Sequence, residues 1–183
     1  MRRLIAAALA LSSAAAISAC SLLLAGITPS TSDAHRTATR SDSVARDVFA
    51  WANRVRRDAE VPLLRRDPRL ESVAARYSRE LARRGEIAHE SPTRGGETPA
   101  ARLAAGGARF ARWAENLAWT SAGPRGAGAR VVNGWMFSPG HRVHLLDVGF
   151  RHAGTGVAEA ADGTWYVVQL YGTRPAPEPP DPP

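Results

Sequence analysis

The strongest constraint on folding is that both ends of this 183-residue chain are unsuited to a globular core. Two arginines after Met1 precede an uncharged, mostly apolar run over residues 4–27, which is the pattern of an export signal. Residues 174–183 have the sequence RPAPEPPDPP, and so many prolines exclude a helix or a central strand. We therefore expect one domain over residues 41–173, between a spacer at 35–40 and an extended, disordered tail.

The N-terminal segment, residues 1–34, has three alternative fates. Cleavage after Ala34, which ends a small-residue Ser-Asp-Ala motif, would release a secreted protein. The sequence Ile-Ser-Ala-Cys ending at Cys20 resembles the lipobox of bacterial lipoproteins, in which this cysteine becomes lipidated. An uncleaved segment of this length could also anchor the protein in a bilayer. All three predict an extracellular domain, either secreted or attached to the cell membrane through its N-terminus.

Composition excludes several classes of protein. A single cysteine rules out a disulfide framework, an iron–sulfur cluster and a multi-cysteine zinc site. The formal net charge is +7, and every basic residue is an arginine, which we attribute to coding bias. Six arginines could form a basic face, but no aromatic residues are interleaved with them, so we expect no nucleic-acid partner and at most nonspecific attraction to anionic envelope polymers or lipid headgroups. These six are Arg54, Arg56, Arg57, Arg65, Arg66 and Arg69.

The first two thirds of the domain have helical periodicity. Ser41-Asp42-Ser43 offers N-caps for a first helix that ends before Pro62. Asp67-Pro68 begins a second helix that ends at Gly85, because aspartate followed by proline is a strong start signal and glycine a strong stop signal. Thr98-Pro99 begins a short third helix that Gly106 ends, and a fourth is expected over about residues 129–137.

The last part of the domain has the alternation of β-strands. Residues 156–160 and 164–171 flank Asp162-Gly163, which is a hairpin signal. Helices followed by a terminal hairpin, without a repeated strand–helix–strand order, predict an α+β fold.

The chemistry-bearing residues are few. His89 and His141 each follow a predicted helix, and Glu115 lies between them in a tryptophan-flanked segment. These three side chains could converge on a divalent metal, or they could form a hydrogen-bonded cluster in a cleft. His144 stands three residues after His141, but a pair at this spacing is a weak metal signal. Neither Ser91 nor Ser138 has the glycine-flanked elbow of a serine hydrolase.

The order of six segments carries a resemblance to a known family. These segments resemble the CAP superfamily (SCP-like extracellular domain; cysteine-rich secretory proteins, antigen 5, pathogenesis-related proteins) in its bacterial, disulfide-free branch. The resemblance implies an α–β–α sandwich with a central antiparallel sheet. The segments are LRRDPRLESVAARYSRELA, AHESP, AENLA, WMFSPGHRVHLL, GTGVAEA and WYVVQLYG.

The resemblance also implies a cleft with two histidines and two glutamates. His89, Glu115 and His141 match three of these positions, while Ser138 occupies the position of the second glutamate. Weak zinc binding by His89 and His141 is implied in the same way. His144 stands where bacterial relatives often have asparagine.

Two functions are compatible with this pattern. We favour a binding module for a lipid, peptide or envelope ligand over an enzyme, because the sequence shows no complete set of nucleophile, base and orienting group. The alternative is a metal-assisted hydrolase that uses His89, His141 and Glu115. No catalytic residue is assigned, and the cluster could also serve as a scaffold that orients the loops. We expect a monomer.

Overall fold

Five helices and a four-stranded sheet form the part of the chain that the structure describes. The structure is a computed structural model and describes residues 31–121 and 123–175. In chain order the elements are α1 (Thr31–Asp58), β1 (Arg65–Arg66), α2 (Pro68–Arg84), α3 (Pro99–Ala105), β2 (Arg112–Thr120), α4 (Ala127–Phe137), α5 (Pro139–Leu145), β3 (His152–Glu159) and β4 (Trp165–Thr173).

The sheet has the strand order β1-β3-β4-β2. Strand β4 pairs in antiparallel orientation with both β3 and β2, and only the two-residue edge strand β1 runs parallel to its neighbour. The predicted α+β fold with a central antiparallel sheet is therefore confirmed. Strand β2 is the other edge of the sheet, so one of its sides is open to neighbouring loops and helices.

Each face of the sheet carries its own apolar core. Helices α1, α4 and α5 cover one face, where Val48, Val132 and Trp135 pack against Trp165 and Val167 of the sheet. Helices α2 and α3 cover the other face and pack against a second set of strand residues. Adjacent residues of β4 alternate between the two cores because successive side chains of a strand point to opposite faces. The result is the predicted α–β–α sandwich.

Helix α2 begins and ends where the sequence predicts. The Asp67 carboxylate accepts hydrogen bonds from the backbone N–H groups of Arg69 (2.9 Å) and Leu70 (3.2 Å). Gly85 ends the helix in the left-handed conformation, with φ of 65°. Arg174, the first residue of the predicted tail, binds this cap as well, since its Nη2 lies 2.6 Å from Asp67 Oδ2.

The predicted start of the first helix is wrong. Helix α1 begins at Thr31, so the predicted spacer at 35–40 is helical and the capping residues at 41–43 lie inside the helix. Arg40 contacts the sheet, where it pairs with Glu159 at 3.4 Å and lies over the Trp165 ring at 5.2 Å. These contacts stabilise the part of the helix that precedes the predicted capping residues. Tertiary packing can outweigh local capping preferences in this way.

Other predictions concern residues outside the described ranges. These are the fate of the N-terminal segment 1–34, of which residues 1–30 lie outside, lipid attachment at Cys20, and the tail 174–183 from residue 176 onwards. Within residues 31–121 and 123–175, none of the helices is both long enough and apolar enough to cross a membrane.

Arg56 is the clearest departure from the expected basic face. Its side chain is fully buried, and its Nε donates to the carbonyl oxygen of Pro62 at 2.8 Å. Its Nη1 and Nη2 donate to the carbonyls of Leu145 (2.7 Å), Asp147 (3.1 Å) and Phe150 (3.2 Å). Burial lowers the pKa of Arg56. Because Leu145 is the last residue of α5 and Asp147 and Phe150 follow it, Arg56 fixes the end of α5 against α1.

Strand β3 packs directly against the backbone of α2 through two glycines. A Cβ atom at Gly154 would lie 2.1 Å from the backbone nitrogen of Glu71, and one at Gly156 would lie 2.1 Å from the carbonyl carbon of Ala74. Only glycine permits this approach, since backbone atoms cannot move aside as a flexible side chain would.

We therefore expect Gly156→Ala to lower the free energy of unfolding by about 1–3 kcal/mol or more, measured by chemical denaturation. The matched control is Gly134→Ala, on an exposed helical position where a Cβ would meet nothing within 4 Å. That change should raise stability by about 0.5–1 kcal/mol, because alanine favours helix more than glycine does. Equal stability of Gly156→Ala and the wild-type protein would contradict this packing.

Candidate functional site

A cavity of about 470 Å³ opens at the free edge of β2. Its polar lining comes from His89, Glu115, His141 and His144. Pro99, Trp113, Ala114 and Gly140 complete the wall. We call this cavity the cleft; it brings together residues from the loop after α2, from β2 and from α5.

A buried ion pair forms one side of the cleft. Nη2 of Arg102 lies 3.0 Å from Oε1 and 2.9 Å from Oε2 of Glu115. The two side chains are only 7% and 2% exposed. Because a charge buried without a partner is strongly unfavourable, each of these residues makes the burial of the other tolerable.

Glu115 also fixes His89. Its Oε1 lies 2.9 Å from Nδ1 of the imidazole, and a carboxylate can only accept, so Nδ1 carries the proton. The carbonyl oxygen of His89 accepts from Arg102 Nη2 at 3.0 Å. The His89 side chain remains 53% exposed, so in its neutral form Nε2 offers a lone pair towards solvent and the cleft.

Tyr77 of α2 supports the ion pair from behind. The Arg102 guanidinium lies over the Tyr77 ring at 3.4 Å from its centroid. The Tyr77 hydroxyl donates to the carbonyl oxygen of Ala88, next to His89 in the loop. The loop after α2 is therefore tied both to the helix and to the arginine, and burial of the hydroxyl raises the pKa of Tyr77.

Asn116 holds the opposite side of the cleft. It is adjacent to Glu115 on β2, so its side chain points to the other face of the sheet. Its Nδ2 donates to the carbonyl oxygen of His141 at 3.0 Å, and its Oδ1 lies 3.1 Å from Nδ1 of His144. The donor role of Nδ2 identifies Oδ1 as an acceptor, so His144 carries its proton on Nδ1.

A chain of buried hydrogen bonds extends from Asn116 into the core. Asn116 Nδ2 donates to the hydroxyl of Tyr171 at 3.2 Å, which donates to Gln169 Oε1 at 2.6 Å. Gln169 Nε2 then donates to Thr155 Oγ1 at 2.9 Å. Burial raises the pKa of Tyr171 far above its ordinary value. Because every member has a partner, this network fixes the amide of Asn116 in one orientation.

The histidines on α5 are held in their neutral forms. Partial burial lowers the pKa of His141, and the nearby His89 and His144 lower it further. Burial and His89 also lower the pKa of His144, against smaller opposing effects of Asp147 and of a hydrogen bond with the Glu115 backbone. At neutral pH both rings therefore present lone pairs as well as N–H groups.

The structure brings together His89, Glu115 and His141, as the sequence predicts, and adds His144. Ser138 does not line the cleft. Its Oγ lies 2.9 Å from Nδ1 of His141, so it acts on the cleft through that ring. Sequence reasoning missed Arg102 and Asn116 as organising residues. Arg102 stands alone among apolar residues in AARLAA, and Asn116 has only Glu115 as a polar neighbour in AENLA, and these surroundings are a signal that could have identified them.

Few side chains around the cleft are free to act as metal ligands. Among residues 31–121 and 123–175, no three or more His, Cys, Asp or Glu side chains are grouped so that they could hold a metal ion. Both carboxylate oxygens of Glu115 already accept from Arg102. The zinc site that the resemblance implies at His89 and His141 therefore lacks the further protein ligands that zinc ordinarily takes.

A sequence model described as "CAP: Cysteine-rich secretory protein family" matches residues 49–171 of the chain. The chain is also similar to the uncharacterized protein YkwD of Bacillus subtilis, with 28% identity over 148 residues. This match covers 79% of the chain and 54% of YkwD, so the chain spans about half the length of the curated relative it matches.

Two solved bacterial structures are similar to the fold. An extracellular protein containing an SCP domain from Bacillus anthracis has a TM-score of 0.66 and 26% identity, over 76% of this chain and 43% of that one. An outer surface protein from Borrelia burgdorferi has a TM-score of 0.63 and 26% identity, over 72% of this chain and 93% of that one.

Removal of the Glu115 charge should destabilise the whole protein. We expect Glu115→Gln to lower the free energy of unfolding by about 3–5 kcal/mol, because it leaves the buried Arg102 without a counter-charge. The measurement is chemical denaturation. The matched control is Glu86→Gln, whose carboxylate is 59% exposed and pairs with Arg84 at 2.7 Å. This surface pair should contribute no more than about 1 kcal/mol. Similar losses in the two variants would contradict the role of Glu115.

The histidines on α5 should protonate late as the pH falls. NMR titration should give His141 and His144 midpoints below the ordinary histidine value of about 6.5. The unfolded chain then binds more protons than the folded one below about pH 6.5, so these two residues contribute a loss of stability as the pH falls through that range. Replacing His144 by asparagine should reduce the loss of stability at low pH, measured by chemical denaturation. Midpoints at or above the ordinary value would contradict this account.

Proposed function

The chain belongs to the cysteine-rich secretory protein (CAP) family, and we propose that it is an exported binding module whose cleft takes a ligand from the cell envelope. Export is supported by the apolar N-terminal segment and by similarity to an extracellular and an outer surface protein. Attachment of the mature protein to the membrane, through Cys20 or through an uncleaved segment, is part of the same proposal.

The observation that carries the proposal is the set of hydrogen-bonding groups around the cleft. His89 and His144 both use Nδ1–H to bind the protein, at Glu115 and Asn116 respectively. When such a ring is neutral, its Nε2 has a lone pair, which is an acceptor. A cleft with fixed acceptors favours a ligand that brings hydroxyl or amide donors.

The apolar part of the cleft further restricts the class of ligand that would fit. Trp113 is 39% exposed at its rim, and Pro99 and Ala114 add smaller apolar surfaces. An exposed indole beside polar groups suits a ligand with one flat or apolar face, since tryptophan supplies contact area at low entropic cost. Peptides and glycan chains of the envelope combine such faces with hydroxyl and amide donors. A lipid would use the apolar face alone.

A metal-assisted hydrolase that uses His89, His141 and Glu115 is the second candidate. It is favoured by the convergence of these side chains in one cavity. It is less well supported than binding, because the described residues include no group of three or more side chains placed to hold a metal ion.

Trp113 offers a direct test of the binding proposal. Soluble peptidoglycan fragments, which carry sugar hydroxyls and peptide amides, should bind the wild-type protein in isothermal titration calorimetry. Trp113→Ala should raise the Kd at least about tenfold, because exposed tryptophans at a binding site contribute strongly to affinity. The matched control is Trp119→Ala on the same strand, whose ring is 59% exposed and does not line the cleft.

Equal effects of the two tryptophan substitutions, or no binding by the wild-type protein, would contradict an envelope ligand of this kind. Steady release of product that is lost in His141→Ala would favour the hydrolase instead. In that case a stoichiometric metal ion that is lost in His89→Ala would identify its metal-assisted form.

A further inference from the structure

A second, smaller cavity lies behind the Arg102–Glu115 ion pair. It has a volume of about 210 Å³ and lies between α2, α3 and the loop at residues 93–96. Three of its lining residues are Arg76, Arg94 and Arg102, and we call it the arginine pocket. None of these three arginines lines the cleft, and Arg102 is connected to the cleft only through its ion pair with Glu115.

One hydrogen-bond donor of Arg102 has no acceptor among the described residues. Its Nη1 donates to the carbonyl oxygen of Gly96 at 3.1 Å, and its Nη2 serves Glu115 and the carbonyl of His89. Its Nε is buried and has no hydrogen-bond partner among the described residues, although the residue is only 7% exposed. A buried N–H without an acceptor is unusual and marks a place where an acceptor would be favourable.

The other two arginines add positive charge, and neither forms an ion pair with a carboxylate of the described residues. Arg76 Nη1 donates to the neutral hydroxyl of Ser72 at 2.8 Å, and within the described ranges Arg94 forms neither an ion pair nor a hydrogen bond. Both side chains are exposed and can turn towards a bound group.

Two carboxylates nearby are already engaged. Glu80 lines the pocket, but it accepts from the Ser91 hydroxyl and lies 3.6 Å from Arg84 Nη1. Glu97 accepts from the backbone N–H of Gly95 at 2.9 Å, within the loop. Arg84 offsets the charge of Glu80, and Glu97 is not among the lining residues, so the lining keeps the positive charges of Arg76 and Arg94.

The size of the pocket limits the group that it can hold. Sites for drug-sized ligands have volumes of about 300–1,000 Å³. The arginine pocket is smaller than this, so it suits a small group and not a large molecule. Guanidinium groups bind phosphate oxygens with two parallel hydrogen bonds, which is why arginine is common at phosphate sites. We propose that the arginine pocket binds a phosphate group, either as free phosphate or as the phosphate of an envelope lipid or polymer.

Titration with inorganic phosphate tests this site, and its outcome is independent of whether the cleft binds envelope fragments. In a ¹H–¹⁵N spectrum of the full protein at low ionic strength, phosphate should shift the Arg102 Nε–H signal and the amide signals of residues 93–96. Arg76→Gln and Arg94→Gln should each weaken the binding about tenfold, since each removes a charge-assisted hydrogen bond.

Arg83→Gln is the matched control, because it removes the same charge from an exposed position of α2 outside the pocket. It should leave phosphate binding within about twofold, as expected of long-range charge effects alone. If phosphate binding is weakened equally in all three variants, or if the Arg102 Nε–H signal shows no saturable shift, the pocket does not bind free phosphate.

Two further titrations identify the source of the phosphate. Glycerol 3-phosphate represents a soluble monoester, and vesicles that contain phosphatidylglycerol represent a lipid diester, with phosphatidylcholine vesicles as the reference. Binding of any one of these probes that is weakened by Arg76→Gln and Arg94→Gln but not by Arg83→Gln supports the pocket and names its source. If no probe shows this dependence, the proposal is wrong.

Discussion

The cleft depends on one buried ion pair, between Arg102 of α3 and Glu115 of β2. The carboxylate takes two hydrogen bonds from a single guanidinium nitrogen, and it uses one of the same oxygens to hold the His89 ring. Arg102 in turn stacks on Tyr77, whose hydroxyl binds the loop that carries His89. Removing either charge would leave the other buried without a partner, so the position of His89 is tied to the stability of the domain.

The alternation of side chains along a pleated strand explains how the α5 side of the cleft is held. Because neighbouring residues of β2 point to opposite faces, Glu115 reaches the layer of α2 and α3 while Asn116 reaches α5. Asn116 holds the backbone of His141 and the ring of His144. Two consecutive residues of one edge strand therefore fix both walls, and Arg56 secures the far end of α5.

Local signals in the sequence predicted the elements well and the contacts between them poorly. The aspartate cap and the glycine stop of α2, and the turn at Asp162-Gly163, are properties of a few adjacent residues, and all are found in the structure. The start of α1, the burial of Arg56 and the role of Asn116 depend on contacts with distant parts of the chain. Resemblance to a family predicted His89, Glu115 and His141 as cleft residues, but it did not reveal that Arg102 holds the first two and Asn116 the third.

A double-mutant cycle between Arg102 and Glu115 tests the central claim most directly. Arg102→Met, Glu115→Gln and the double variant would be compared by chemical denaturation. If the two side chains form one buried unit, the double variant should lose less stability than the sum of the single losses, with a coupling of about 0.5–3 kcal/mol. Additive losses, with no coupling, would show that the ion pair does not organise the cleft.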